Sequence, residues 1–367
     1  MELQRKATLY IGTYTKKEAH VDGRGEGIYV YELDLLSGAL TYVSTTPDTI
    51  NPSFLAVDSS GRHLYAVNEH YEDLGPHGTV TAFVIDPTTW GLTRLNVQSS
   101  HGLAPCYISL DGTGRYALVA NYLTGNVCVL PVREDGSLAP ATHVVQHDGG
   151  GRRADQDGPH AHCILTSRGN RHVLAVDKGA DKIMVYRLDT ERGMLLASSH
   201  PWLKLRPGTG PRHITFHPSG RFLYCINELD STIAVLGYDA EPGTLEELQR
   251  VPTLPPEAKG PNSGADIRIT PSGRFVYGSN RGHNSIVIYA VDEVTGKLSY
   301  VGHEPSLGAC PRGCAIDPTG TFLLVANQDT SSISTFRIDQ ETGRLAATGH
   351  TAQVPTPVCV QVLLRDG

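Results

Sequence analysis

Four short segments carry side chains that together could hold a small anion and move a proton beside it. They are GPHAH (158–162), GPRH (210–213) and the pairs Asn227–Glu228 and Asn280–Arg281. An imidazole, a carboxylate and guanidinium groups are the minimum for that chemistry. His160, Arg212, Glu228 and Arg281 are therefore the candidate catalytic residues, with His162, Lys178, Arg312, Asn121, Asn227 and Asn280 as candidate substrate contacts. Each has a plainer reading. The recurring Asn would serve to cap a strand end through backbone hydrogen bonds. Arg212 and Arg281 would be rim charges, Glu228 their ion-pair partner, and His213 a ring packed beside its strand. His160 and His162 flank an alanine, so in a regular strand both rings share one face. Two histidines are an incomplete metal site, and no metal is expected. GxGxxG, P-loop and CxxCH patterns are absent, which leaves no cofactor to expect.

Residues so far apart need a fold that gathers them, and the chain repeats. An apolar run ending in Asn or Asp recurs as LYAVN (64–68), ALVAN (117–121), VLAVD (173–177), LYCIN (223–227), VYGSN (276–280) and LLVAN (323–327). The final residues are spaced by 53, 56, 50, 53 and 47, and LYIGTY (9–14) is a diverged seventh copy. Each clear copy follows a glycine turn, a short run precedes that turn, and two further alternating runs follow. Four short strands repeated seven times at about fifty residues predict a seven-bladed β-propeller with four antiparallel strands per blade. The first copy lacks a strand one, and VCVQV (358–362) is a strand one with nothing after it. The C-terminal strand must therefore pair with the N-terminal blade and close the ring. Residues 1–367 are expected to form one domain.

Strands one and two of a blade form a hairpin, so the start of one lies beside the end of the other. Residues at those two places should crowd one mouth of the central channel. Before strand one stand His160, Arg212, Asp266 and Arg312; after strand two come Tyr14, Glu69, Tyr122, Lys178, Glu228, Arg281 and Gln328. The polar segment DGGGRRADQDG (148–158) leads straight into His160 and should lie over the same mouth.

Composition agrees with a turn-rich all-β chain: 39 glycines and 23 prolines in 367 residues. The formal charge of −7 argues against a nucleic-acid partner or a membrane surface. The seven cysteines are odd in number, without a CxxC pair, and sit in apolar runs, so no disulfide framework is expected. The first residues lack the apolar core of a signal peptide, and the expected location is cytoplasmic, as a monomer or small homo-oligomer.

GPHAH, GPRHITFHPSGRFLYCINE (210–228), ADIRITPSGRFVYGSNRG (265–282) and PRGCAIDPTG (311–320) resemble the seven-bladed lactonase family. That family includes bacterial 6-phosphogluconolactonases and fungal carboxymuconate-lactonizing enzymes. The resemblance places the proposed active-site groups on His160, Arg212, Glu228 and Arg281; either His160 or Glu228 would then activate water, and an imidazole suits that role near neutral pH. It implies a small anionic lactone, opened by hydrolysis or formed by cycloisomerisation. A non-enzymatic binding scaffold is the remaining alternative.

Overall fold

The computed structural model describes residues 6–71 and 77–365, and every regular element in it is a β-strand. Seven four-stranded antiparallel sheets form the blades. From the inside out, blade 4 is Ala161–Thr166, His172–Asp177, Lys182–Asp189 and Met194–Lys204. Blade 5 follows with Pro211–Phe216, Phe222–Asn227, Thr232–Asp239 and Thr244–Pro252. The innermost strands neighbour one another in a closed ring around the axis.

The pattern of burial follows from stacking blades face to face. Second strands are covered on both faces, and His172–Asp177, Phe222–Asn227 and Phe322–Asn327 are buried at every position. This is why they read as continuous apolar runs. The outermost strands cover one face only, and Leu92–Ser99 has only half-buried and exposed residues.

Neighbouring blades are latched by a repeated contact. Tyr65, Tyr224 and Tyr277 each donate a hydroxyl hydrogen bond to a turn carbonyl of the next blade, at Gly136, Gly296 and Gly343 respectively (2.8–3.0 Å). The turn glycines are required twice over. Gly343 has φ +71°, and a Cβ there would lie 2.3 Å from the Phe275 ring.

Ring closure is made by Pro357–Leu364, the innermost strand of blade 1, against Lys6–Thr13. Ile11 pairs with Val360 and Leu9 with Val362. Thr356 adds a side-chain clasp by donating its hydroxyl to the Tyr14 carbonyl at 2.6 Å. This is the closure the unmatched strands predicted.

Gly343→Ala combines left-handed backbone strain with displacement of the Phe275 ring. We expect a loss of roughly 2–5 kcal/mol, read as a lower denaturant midpoint than wild type.

Candidate active site

Two rings of side chains face the axis at one mouth, each set by a backbone device that repeats from blade to blade. The first comes from residues that follow the Asn or Asp at the end of strand two. The amide of that residue donates to a carbonyl just ahead of strand one: Tyr122 to Ala104, Lys178 to His160, Glu228 to Gly210 and Gln328 to Cys310 (2.7–3.0 Å). The outcome is that Glu69, Tyr122, Lys178, Glu228, Arg281 and Gln328 all line one cavity of about 370 Å³. The Asn residues themselves are spent on the frame. Asn121 donates to the Ser100 carbonyl (2.9 Å), Asn280 to that of Thr253 (2.7 Å) and Asn227 to the Thr232 hydroxyl (2.8 Å). None of these three candidate contacts lines the cavity.

The second ring comes from a slip in strand pairing. In blade 3 Pro105 pairs with Asn121 and Tyr107 with Ala120, so Cys106 is left over as a bulge. The same slip isolates His162 in blade 4, Arg212 in blade 5 and Arg312 in blade 7. A β-bulge turns its extra side chain away from the pleat. These four side chains, with Ser53, Glu69, Asp266 and Val358, line a smaller compartment deeper along the axis.

The bulge separates the two histidines that a regular strand would hold together. His162 lines both compartments. The His160 ring stacks on Tyr122 (centroids 4.7 Å apart), outside the cavity lining. Its Nδ1 lies 3.0 Å from the Tyr122 carbonyl and its Nε2 3.0 Å from Asp157 Oδ1, so both nitrogens are engaged. Register explains the difference. Ala161, not Pro159, pairs with Asp177 where Pro211 pairs with Asn227, which makes His162 the counterpart of Arg212. The expectation that His160 stands in the Arg212 position follows the proline and is off by two residues.

Glu228 is the electrostatic centre. Its Oε1 meets Lys178 Nζ at 3.0 Å, and its Oε2 meets Arg212 Nε at 3.0 Å and an Arg281 terminal nitrogen at 2.8 Å. Burial pushes the Glu228 pKa up, but Arg281, Lys178 and Arg212 outweigh it and hold the carboxyl well below its ordinary range. The Nε atoms of Arg212 and Arg281 are buried yet make no hydrogen bond among the described residues; the Arg212 contact is close but out of line. Burial, then Arg281 and Arg312, pushes Arg212 down to about 10. Burial, then Arg212 and His213, lowers the His162 pKa well below the ordinary imidazole value, and the ring is neutral.

Behind Arg212 runs a buried chain. An Arg212 terminal nitrogen lies 3.2 Å from His213 Nε2, and His213 Nδ1 lies 2.9 Å from Asp266 Oδ1. Arg268 pairs with the other Asp266 oxygen at 2.9 Å. His213 packs and orients, as its sequence context suggested. The segment 148–158 lies at the mouth, where Asp155 approaches Lys178 Nζ to 3.7 Å and Gln156 bonds the Lys178 carbonyl. His20 and Tyr71 also line the cavity. His20 sits on a two-residue ribbon strand pair, Lys17–Glu18 with Val21–Asp22, that lies outside the blade repeat, so no periodic signal marks it. Among the described residues no cluster of three or more metal-ligating side chains occurs. No helix among them is long and apolar enough to cross a membrane.

Fold and site together define a seven-bladed propeller with a cation-rich pocket on its axis. Residues 8–362 match the family model described as lactonase, 7-bladed beta-propeller, and the chain belongs to that family. It is 38% identical over 355 residues to the 6-phosphogluconolactonase of Bacillus subtilis, covering 96% of this chain and 97% of that one. The 6-phosphogluconolactonase of Formosa agariphila is 36% identical over 314 residues, or 84% of this chain and 86% of its relative. Among solved structures, the periplasmic gluconolactonase of Pseudomonas aeruginosa superposes with a TM-score of 0.92 at 33% identity, over 98% of this chain and 100% of that chain.

Glu228 carries a depressed pKa in the folded state, so the native form binds fewer protons than the unfolded one as pH falls below about 4.5. Its contribution is present above that pH and is lost as acid protonates it. Glu228→Gln should therefore be less stable than wild type at neutral pH, and the gap should narrow on acidification. Unfolding midpoints measured across pH check this; a pH-independent gap would count against it.

Proposed function

We propose that the protein hydrolyses a small anionic sugar-acid lactone, with 6-phosphogluconolactone as the substrate. The observation that carries this reading is the convergence of Lys178, Arg212 and Arg281 on one carboxylate, with two guanidinium donors unmet. Arg312 adds a fourth cation, shared between this cavity and the deeper compartment that Arg212 lines. Glu228 and Asp329 cannot balance four cations, and burial raises the Glu69 pKa, so the pocket favours an anionic ligand. The names of the relatives point to the same substrate class.

In this reading Arg281 and Lys178, at the mouth, hold the anionic end of the substrate. Arg212 and Arg312 lie deeper and stabilise the oxyanion as water adds to the lactone carbonyl. His162 takes the proton from that water, since its Nε2 has no protein hydrogen bond among the described residues while its Nδ1 faces Cys106 Sγ at 3.7 Å. Burial, Arg212 and Arg312 depress His162, and the oxyanion that forms against those two arginines favours the protonated ring. Glu228 stays ionised throughout and spaces the three cations. His160 supports the site from behind Tyr122.

Lactone loss measured against spontaneous hydrolysis tests the reading. Wild type should accelerate it, and His162→Ala should lower kcat by about 10²–10⁴-fold. Arg281→Ala should act chiefly by raising KM. No acceleration by wild type overturns the assignment.

A further inference from the structure

We propose that Glu69 is a catalytic residue, the acid that delivers its carboxyl proton to the ring oxygen as the lactone C–O bond breaks. The proposal rests on the hydrolytic reading above and supplies the step it leaves open. Among the described residues, Glu69 is the one carboxyl group that lines both compartments of the channel. It follows Asn68 at the end of strand two, the position that supplies Lys178 and Glu228 in their own blades, and its amide bonds the Asn51 carbonyl at 3.0 Å.

Its surroundings are the reverse of those at Glu228. Glu228 is met directly by three cations, whereas a tyrosine stands between Glu69 and its nearest one. Arg312 donates to the Tyr14 hydroxyl oxygen (2.9 Å), and Tyr14 donates its own proton to Glu69 Oε2 (3.0 Å). Because the Tyr14 proton is committed to Oε2, the proton of the carboxyl group itself belongs on Oε1. Tyr71 on the same loop, Cys106 from blade 3, His162 from blade 4 and Arg212 from blade 5 share the two compartments with it. Burial is the largest influence and raises the Glu69 pKa, against the opposing pull of Arg312, Ser53, Tyr14 and Arg212. Two carboxyl groups in one cavity are thus driven in opposite directions, one to a fixed anion and one to a proton carrier.

The proton count closes. Water gives one proton to His162 and its oxygen to the carbonyl carbon. The C–O bond then breaks toward the ring oxygen, which takes the Glu69 proton and becomes a hydroxyl group. The imidazolium returns its proton to the Glu69 carboxylate through solvent, and the newly formed acid ionises.

The test uses the whole protein with 6-phosphogluconolactone. Glu69→Gln keeps the shape and the acceptor for Tyr14 but cannot donate an acidic proton, so kcat should fall by about 10²-fold or more with KM little changed. Since the acid form is the active one, wild-type kcat should fall as pH rises through the Glu69 pKa. That limb should vanish in Glu69→Gln and move to higher pH in Tyr14→Phe, which removes a bond that favours the carboxylate. An infrared carboxylic-acid carbonyl band should titrate with the limb and be missing from Glu69→Gln. A Glu69→Gln kcat within about twofold of wild type overturns the proposal. If wild type fails to accelerate hydrolysis, the hydrolytic reading falls; the infrared titration then judges Glu69 alone, and titration in the ordinary carboxylate range overturns it.

Discussion

One slipped residue at the head of the innermost strand sets the deeper half of the site. Where Cys106, His162, Arg212 and Arg312 bulge out of register, the strand below keeps its pleat and its apolar packing, while the side chain at the slip turns to the axis. In blades 3, 4, 5 and 7 the bulge brings one residue to the axis while the strand below stays in register. Gly313 shows how tight the arrangement is, since a Cβ there would come within 2.2 Å of the Val358 carbonyl on the neighbouring strand.

Charges gathered in this way repel one another, and Glu228 is what makes the gathering tolerable. Taking several cations out of water costs several kcal/mol each unless a counterion accompanies them. A single carboxylate shared by Lys178, Arg212 and Arg281 meets that cost only in part. The remaining imbalance is stored as affinity for an anion. Deeper in, Asp266 and His213 brace Arg212 from behind, so its position does not depend on what occupies the cavity.

The ring, its four-stranded blades and its closure were legible in the sequence because each rests on periodicity: apolar runs, glycine turns and an unmatched terminal strand. Lys178, Glu228 and Arg281 were legible too, since their place after a strand-two Asn or Asp is fixed by the hairpin. What could not be read was the pairing register. Pro159 imitates Pro211, but the hydrogen-bond ladder begins at Ala161, which turns His162 inward and leaves His160 stacked on Tyr122. A one-residue bulge leaves no trace in composition or alternation. His20 was hidden for another reason, because the ribbon that carries it belongs to no repeat.

Blade 1 takes its innermost strand from residues some 350 positions away from its second strand, as the pairing of Ala7 with Leu364 illustrates. Val358 and Cys359 on that strand form part of the wall of the deep compartment. Six blades can assemble from contacts local in the chain, yet the pocket has a gap in its side until the most distant pairing forms. Maturation of the catalytic cavity is therefore tied to the slowest kind of folding event, the closing of a very long loop. An arc of blades, however native within each sheet, would be an inactive intermediate with its channel open to solvent.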